Sequence, residues 1–133
     1  MKTQQALDIL VAATDAARKL GKPVTVAIVD TAGCLVALQR VNDASGFSAV
    51  VAEGKACTAA IMKRDGSEAA QLVERFPALA ASMAVQTNGR FFPMQGGLLV
   101  RDEDGALGAI GVSGATGDED EAIARAGVSA VSG

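Results

Sequence analysis

Two pairs of short apolar segments, each pair joined by a tight turn, constrain the fold of this chain most strongly. The first pair is predicted at residues 24–30 and 34–40, around Asp30-Thr31-Ala32-Gly33, where Gly33 is free to adopt a positive φ. The second pair, at 98–101 and 106–113, flanks the Asp104-Gly105 turn. Because tight turns join antiparallel strands, the sequence predicts two β-hairpins.

Helical periodicity surrounds both hairpins. Apolar residues recur every three or four positions over residues 3–20, and an Ala- and Val-rich helix is predicted at 47–62. Capping-box spacing predicts two further helix starts, at Asp65 to Glu68 and at Thr116 to Glu119, the last helix running to about residue 131. Strand pairs separated by runs of helix indicate an α+β fold, and the length predicts one domain over residues 1–133.

Composition narrows the possible partners. Half of the residues are apolar but only 3% are aromatic, so each core side chain buries little area, and oligomerisation would cover further apolar surface. The net charge of −3, without a basic cluster, argues against a nucleic-acid partner. No apolar run approaches the roughly 20 residues that span a bilayer, and the first residues lack a signal-peptide core, so we expect a cytoplasmic protein without a membrane partner.

The chain contains no histidine, which removes the usual general base and the commonest metal ligand. Cys34 and Cys57 do not form a CxxC motif and are interpreted as reduced thiols, with a redox disulfide or a thiolate ligand as alternatives. The acidic residues 118–121 follow one another on a helix and suit its N-terminal dipole better than a cation. The sequence therefore predicts no metal site.

Several segments together resemble the GlcG/HbpS-like family, in the right order over nearly the whole chain. They are Val26-Ala27-Ile28-Val29-Asp30-Thr31-Ala32-Gly33, Gly54-Lys55-Ala56-Cys57-Thr58-Ala59-Ala60, Phe92-Pro93 through Gly96-Gly97-Leu98, Leu107-Gly108-Ala109-Ile110-Gly111-Val112-Ser113-Gly114, Asp120, and Ala124-Arg125-Ala126-Gly127. The resemblance implies a profilin-like fold, with helices packed on a single antiparallel sheet of about five strands. It also implies a homo-oligomer, often an octamer.

Members of that family include a haem-binding sensor component, a domain fused to a cobalamin adenosyltransferase, and many proteins labelled as haem-degrading domains. The resemblance thus makes haem a candidate cofactor, which the absence of histidine disfavours. The remaining soft iron ligands are Cys34, Cys57 and a methionine such as Met94. This chain also has a shorter glycine loop than the family pattern. The cofactor is otherwise unknown.

The glycine-rich loop and its surroundings supply the candidate site residues. The backbone amides of Gly96 and Gly97 form either an anion-binding nest or a tight turn, and Phe92 and Pro93 precede them as ligand contacts. Lys55, in a helix of small residues, is predicted either as a partly desolvated base, Schiff-base former or anion anchor, or as a solvated or ion-paired lysine.

Three charged residues complete the predicted set. Asp30 either partners Lys55 in acid–base chemistry or accepts hydrogen bonds within its own turn. Arg40 either binds a substrate carboxylate or lies in solvent at the end of its strand. Asp120 is included as a ligand-binding residue because it fits the family motif.

Three functions remain open at this point. The first is an oligomeric small-molecule-binding or accessory protein that holds its ligand near the Gly96-Gly97 loop. The second is a cofactor-independent lyase or isomerase acting on a small anionic metabolite, with Lys55 and Asp30 as the catalytic groups. The third is a haem-binding or haem-degrading protein.

Overall fold

Strands and helices follow the predicted order in the computed structural model, which describes residues 1–131, except that a ten-residue helix at Pro77–Gln86 was not predicted. The elements are α1 Thr3–Leu20, β1 Thr25–Val29, β2 Leu35–Arg40, α2 Gly46–Met62, α3 Gly66–Arg75, α4 Pro77–Gln86, β3 Gly97–Asp102, β4 Gly105–Ser113 and α5 Gly117–Val128. The α+β class is confirmed. The last two residues of the predicted domain, 132 and 133, lie outside the described residues.

The two hairpins join into one antiparallel sheet with the strand order β2-β1-β4-β3. The expectation of about five strands was wrong, because the sheet formed by residues 1–131 has four. At the β3 edge, the backbone amide of Leu99 donates to Oδ1 of Asp65 at 3.0 Å instead of to a further strand. The residues before β3 approach α2, where the backbone N–H of Phe92 donates to Thr58 Oγ1 at 2.8 Å.

Helices cover both faces of the sheet, so the alternation of side chains along each strand divides the interior into two parts. Helices α1 and α5 pack on one face, and α2 packs on the other. The first interior contains larger side chains, including Ile9, Val26, Ile28, Ile110, Val112 and Ile123. The second contains Val29, Ala56, Ala59, Ala60 and Ala109.

Helix α2 lies very close to the sheet because small residues face each other across this second interior. A Cβ atom added at Gly111 would lie 2.6 Å from the backbone nitrogen of Ala56 and would also collide with the carbonyl oxygen of Ala52. This close approach accounts for the glycine within β4 at position 111, because no Cβ atom fits between the strand and the helix there.

The two predicted capping boxes differ in outcome. At α5, Thr116 Oγ1 accepts from the backbone N–H of Glu119 while Glu119 accepts from that of Thr116, both at 3.2 Å, which confirms the box. At α3, Asp65 is the N-cap residue but its side chain makes no capping hydrogen bond. Its carboxylate is directed instead to the β3 edge, where it satisfies the amide of Leu99.

Candidate functional site

The paired glycines lie where no side chain fits. Gly96 has φ +108°, and a Cβ atom there would lie 2.7 Å from the carbonyl oxygen of Val112 and 2.9 Å from Lys55 Nζ. A Cβ atom at Gly97 would lie 2.7 Å from the carbonyl oxygen of Lys55. The glycines are thus required for the segment that leads into β3 to lie directly against α2 and the end of β4.

Lys55 projects from the middle of α2 into this contact and is only 3% exposed. Its ammonium group donates to the carbonyl oxygen of Val112 at 2.9 Å and to Oδ2 of Asp120 at 3.1 Å. The lysine therefore joins α2, the end of β4 and the start of α5 through two hydrogen bonds, one of them an ion pair.

Asp120 reaches Lys55 from the first turn of α5 and is also 3% exposed. Its backbone N–H donates to the carbonyl oxygen of Thr116 at 2.8 Å, and its Oδ1 accepts from the backbone N–H of Ala115 at 3.0 Å. Both carboxylate oxygens are therefore occupied. An acidic residue in a first helical turn is also stabilised by the helix dipole.

The structure brings Lys55 together with the glycine loop, but the carboxylate that completes the cluster is Asp120. Asp30 Oδ1 accepts from the backbone N–H groups of Ala32 at 2.9 Å and Cys34 at 3.0 Å, which is the turn interaction that the sequence offered as the alternative. The expected pairing of Lys55 with Asp30 was wrong, because turn closure already uses the Asp30 carboxylate. Asp120 was already in the predicted set, from the family motif, but as a ligand-binding residue and not as the partner of Lys55.

Arg40 is exposed at the end of β2, and its Nε and Nη2 atoms donate to the carbonyl oxygen of Ala44 at 2.9 and 2.6 Å. Its guanidinium group therefore closes the loop between β2 and α2. This contact does not join it to Lys55 or to the glycines, and its role toward a substrate carboxylate stays a prediction.

Phe92 and Pro93 are half-buried at the start of the glycine loop. The Phe92 ring packs directly on α2, where a Cβ atom at Gly54 would collide with it. The hydrogen bond from its backbone to Thr58 fixes the same contact. Part of each ring remains available to a ligand, in contrast to Lys55, Gly96 and Gly97, which are buried.

The cluster of Lys55, Asp120 and the two glycines is chemically a satisfied, enclosed ion pair. To exchange a proton with a substrate, the Lys55 ammonium group would first have to break its hydrogen bonds to Val112 and Asp120. A buried pair of this kind is expensive to disrupt. The geometry therefore indicates that Lys55 positions the loop, and its catalytic role stays an untested prediction.

The two cysteines have different environments. Cys34 is exposed, and Cys57 is buried in α2. Burial raises the pKa of the Cys57 thiol, an effect that the nearby Arg90 cation opposes. A Cβ atom at Gly33 would lie 3.0 Å from Cys57 Sγ, so the first hairpin turn covers this thiol.

The soft side chains fit haem only partly. With no histidine in the chain, the exposed soft side chains that could hold iron within residues 1–131 are Cys34 and Met94, which is 49% exposed, whereas Cys57 is covered. Within residues 1–131, no three His, Cys, Asp or Glu side chains are placed to hold a metal ion. In the same part of the chain, none of the helices combines the length and apolar character of a membrane span.

The fold and this cluster define a class: a small α+β domain with a four-stranded antiparallel sheet, a closely packed central helix and a glycine loop fixed by a buried ion pair. The family model described as "Haem degrading protein HbpS-like" matches residues 1–129. The chain belongs to this HbpS-like family.

Two curated relatives and one solved structure illustrate the similarity. The chain is 29% identical over 113 residues to protein GlcG of Escherichia coli K12, covering 85% of this chain and 81% of GlcG. It is 31% identical over 120 residues to the corrinoid adenosyltransferase PduO of Salmonella typhimurium LT2, covering 90% of this chain but only 35% of PduO. The chain thus spans about a third of PduO. A solved PduOC–haem complex superimposes with a TM-score of 0.86 at 28% identity, covering 98% of this chain and 94% of the other.

Proposed function

We propose that this chain is a homo-oligomeric small-molecule-binding or accessory protein, with its ligand held against the 92–97 segment. Helix α4 carries this proposal. Its sequence, PALAASMAVQ, is apolar except for one serine and one glutamine, yet none of its residues is buried. An apolar helix without a buried face is suited to a further protein surface, and a second copy of the chain supplies one.

The ligand site follows α4 directly along the chain. Phe92 and Pro93 are half-buried, Met94 is exposed, and the glycines behind them are held by Lys55 and Asp120. This arrangement supports a fixed apolar edge against which a small molecule packs at a subunit contact. Residence in the cytoplasm stays a prediction.

The oligomer is tested by light scattering coupled to size-exclusion chromatography. We expect a mass several times that of the 13.3 kDa chain, and the resemblance implies eight copies. Val85→Glu places a charge on an exposed apolar residue of α4, which is 73% exposed, and should reduce the mass. Val11→Glu, at a 57% exposed position of α1, is the control and should leave the mass unchanged. A monomeric parent protein, or equal masses for all three proteins, would remove the proposal.

The ligand is tested by calorimetric titration with a panel of cofactors and small organic acids. Phe92→Ala should weaken any binding at the loop by about tenfold or more, since an aromatic anchor of this size contributes at least 1.4 kcal/mol. Phe47→Ala is the control, because Phe47 is 69% exposed on α2. If no compound of the panel binds, or if Phe92→Ala and Phe47→Ala lower the affinity equally, the loop site is contradicted.

Haem is the second candidate, supported by the similarity to a PduOC–haem complex. Absorbance titration with haem is decisive: a Soret shift at stoichiometric haem that disappears in Cys34→Ser or Met94→Leu would support ligation by that residue. No shift at stoichiometric haem would exclude this candidate. The absence of histidine keeps it second.

A further inference from the structure

A cavity of about 520 Å³ lies at the end of the sheet where both hairpins turn. Its walls come from the end of α2 at Ala60 and Lys63, from β3 at Leu99 and Arg101, and from the start of β4. Ligand pockets typically enclose roughly 300–1,000 Å³. The cavity shares no lining residue with the 92–97 segment, so it is a separate place on the molecule.

Two cations without partners line this cavity. Lys22, Lys55 and Arg90 all have carboxylate partners, whereas Lys63 and Arg101 have no ion pair or side-chain hydrogen bond to any other residue of 1–131. Both side chains are exposed, so they remain hydrated and free to move toward an anion. Their proximity to one concave surface concentrates positive charge there.

Strand alternation directs Arg101 to this place, because residues two apart on a strand share a face and Leu99 also lines the cavity. The register between β3 and β4 shifts between Val100 and Arg101, where Arg101 pairs with Ala106 and the extra residue, Leu107, lies on β4. On the facing strand, Gly108 also lines the cavity; it has φ +152°, and a Cβ atom there would collide with the carbonyl oxygen of Val29, so this position requires glycine.

The remaining lining residues are chiefly apolar or small. Ala60, Leu99 and Ala106 provide apolar walls, and Thr31 adds one hydroxyl group. None of the described lining residues is acidic. Asp102 is the nearest acidic residue along β3. Its Oδ1 accepts a hydrogen bond from the backbone N–H of Asp104 at 2.9 Å, so this carboxylate takes part in the hairpin turn.

We propose that this cavity binds a small carboxylic acid that has an apolar body, with the carboxylate held between Lys63 and Arg101. The planar guanidinium of Arg101 offers two parallel donors to a carboxylate, and Lys63 adds a second positive charge. The hydrocarbon part packs on the apolar walls. The proposal goes beyond the loop site and does not depend on it.

Calorimetric titration with benzoate and hexanoate tests the assignment, with acetate and inorganic phosphate as probes that lack the apolar body. We expect benzoate or hexanoate to bind at least tenfold more tightly than acetate or phosphate, and the affinity should fall as salt is raised. Absence of binding by both longer acids at millimolar concentration would overturn the proposal. Equal affinities for all four anions would also overturn it.

Variants locate the binding. Arg101→Gln and Lys63→Gln should each lower the affinity by about tenfold, and Ala106→Phe should abolish binding by filling the cavity without changing the charge. Lys19→Gln, at an exposed position of α1, removes the same charge elsewhere and should leave the affinity unchanged. Equal affinity in Arg101→Gln and Lys19→Gln would overturn the site. A ligand of the 92–97 segment should respond to Phe92→Ala and not to Arg101→Gln, so the two proposals fail separately.

Discussion

Replacement of Lys55 by methionine tests whether the buried ion pair fixes the glycine loop. The methionine keeps most of the volume of the side chain but leaves the Asp120 carboxylate, 3% exposed, with only the amide of Ala115 as a partner. Removing one member of a buried pair typically lowers the free energy of unfolding by about 3–5 kcal/mol. For a domain of this size, that corresponds to a fall in Tm of roughly 10–20 °C.

The measurement is urea and thermal unfolding followed by far-ultraviolet circular dichroism, at one fixed protein concentration because assembly would also add stability. Fluorescence is unsuitable because the chain has no Trp or Tyr. Lys22→Met is the matched control: its ion pair with Glu119 also reaches α5, but the two side chains are 43% and 29% exposed. We expect that control to lower the free energy of unfolding by less than about 1 kcal/mol.

A double-mutant cycle separates the pair from its surroundings. Asp120→Asn keeps an oxygen that can accept from Ala115, and the double variant Lys55→Met/Asp120→Asn removes both charges. The coupling energy should exceed about 2 kcal/mol, because neither single variant leaves the remaining charge neutralised. If Lys55→Met unfolds within about 1 kcal/mol of Lys22→Met, the buried pair does not hold the loop and the argument from its geometry is refuted.

Three further predictions concern packing, capping and thiol reactivity. Gly111→Ala should lower the free energy of unfolding by about 1–3 kcal/mol in urea titrations, because the added carbon meets the backbone of α2; an unchanged midpoint would contradict that contact. The hydrogen bond from the backbone of Thr116 lowers the pKa of Glu119, so the ionised Glu119 side chain stabilises the folded state. This contribution to the free energy of unfolding is complete above the ordinary pKa of 4.5 and is lost as the pH falls through the lowered pKa. In Glu119→Gln, the free energy of unfolding should therefore fall less steeply with decreasing pH below 4.5 than in the parent protein. The same dependence on pH in both proteins would exclude this linkage. Iodoacetamide at neutral pH should label exposed Cys34 well before Cys57, whose thiol is buried and has a raised pKa, and mass spectrometry of digested protein checks the order.

Local pattern predicted both hairpins and four of the five helices of residues 1–131, but not α4. Helix α1 spans Thr3–Leu20 as predicted, and the tight turn at Gly33 and the Asp104-Gly105 turn join the strand pairs that the sequence indicated. These features depend on residues close together in the chain, where turn chemistry and apolar periodicity act directly. The expected fifth strand came from the resemblance and not from any such pattern.

The candidate site was predicted less completely because its contacts link distant parts of the chain. The proximity of Lys55 to the glycine loop was anticipated, but its pairing with Asp120 bridges 65 positions. Asp65 shows the same limit, because its capping pattern gave no indication that its carboxylate bonds to β3. Lys63 and Arg101 meet at one cavity only after the end of α2 has been placed beside the β3–β4 hairpin.

The close contact between α2 and the sheet also determines where this fold can acquire new binding specificity. Because the backbone of β4 at Gly111 lies in direct contact with the backbone of α2, no ligand fits between the sheet and this helix. A larger side chain there would separate them. Variation among relatives that recognise different molecules is therefore expected at the two ends of the helix and in the hairpin turns. The middle of α2, which lies against the sheet, should tolerate few substitutions, whereas those outer segments can change without separating the layers.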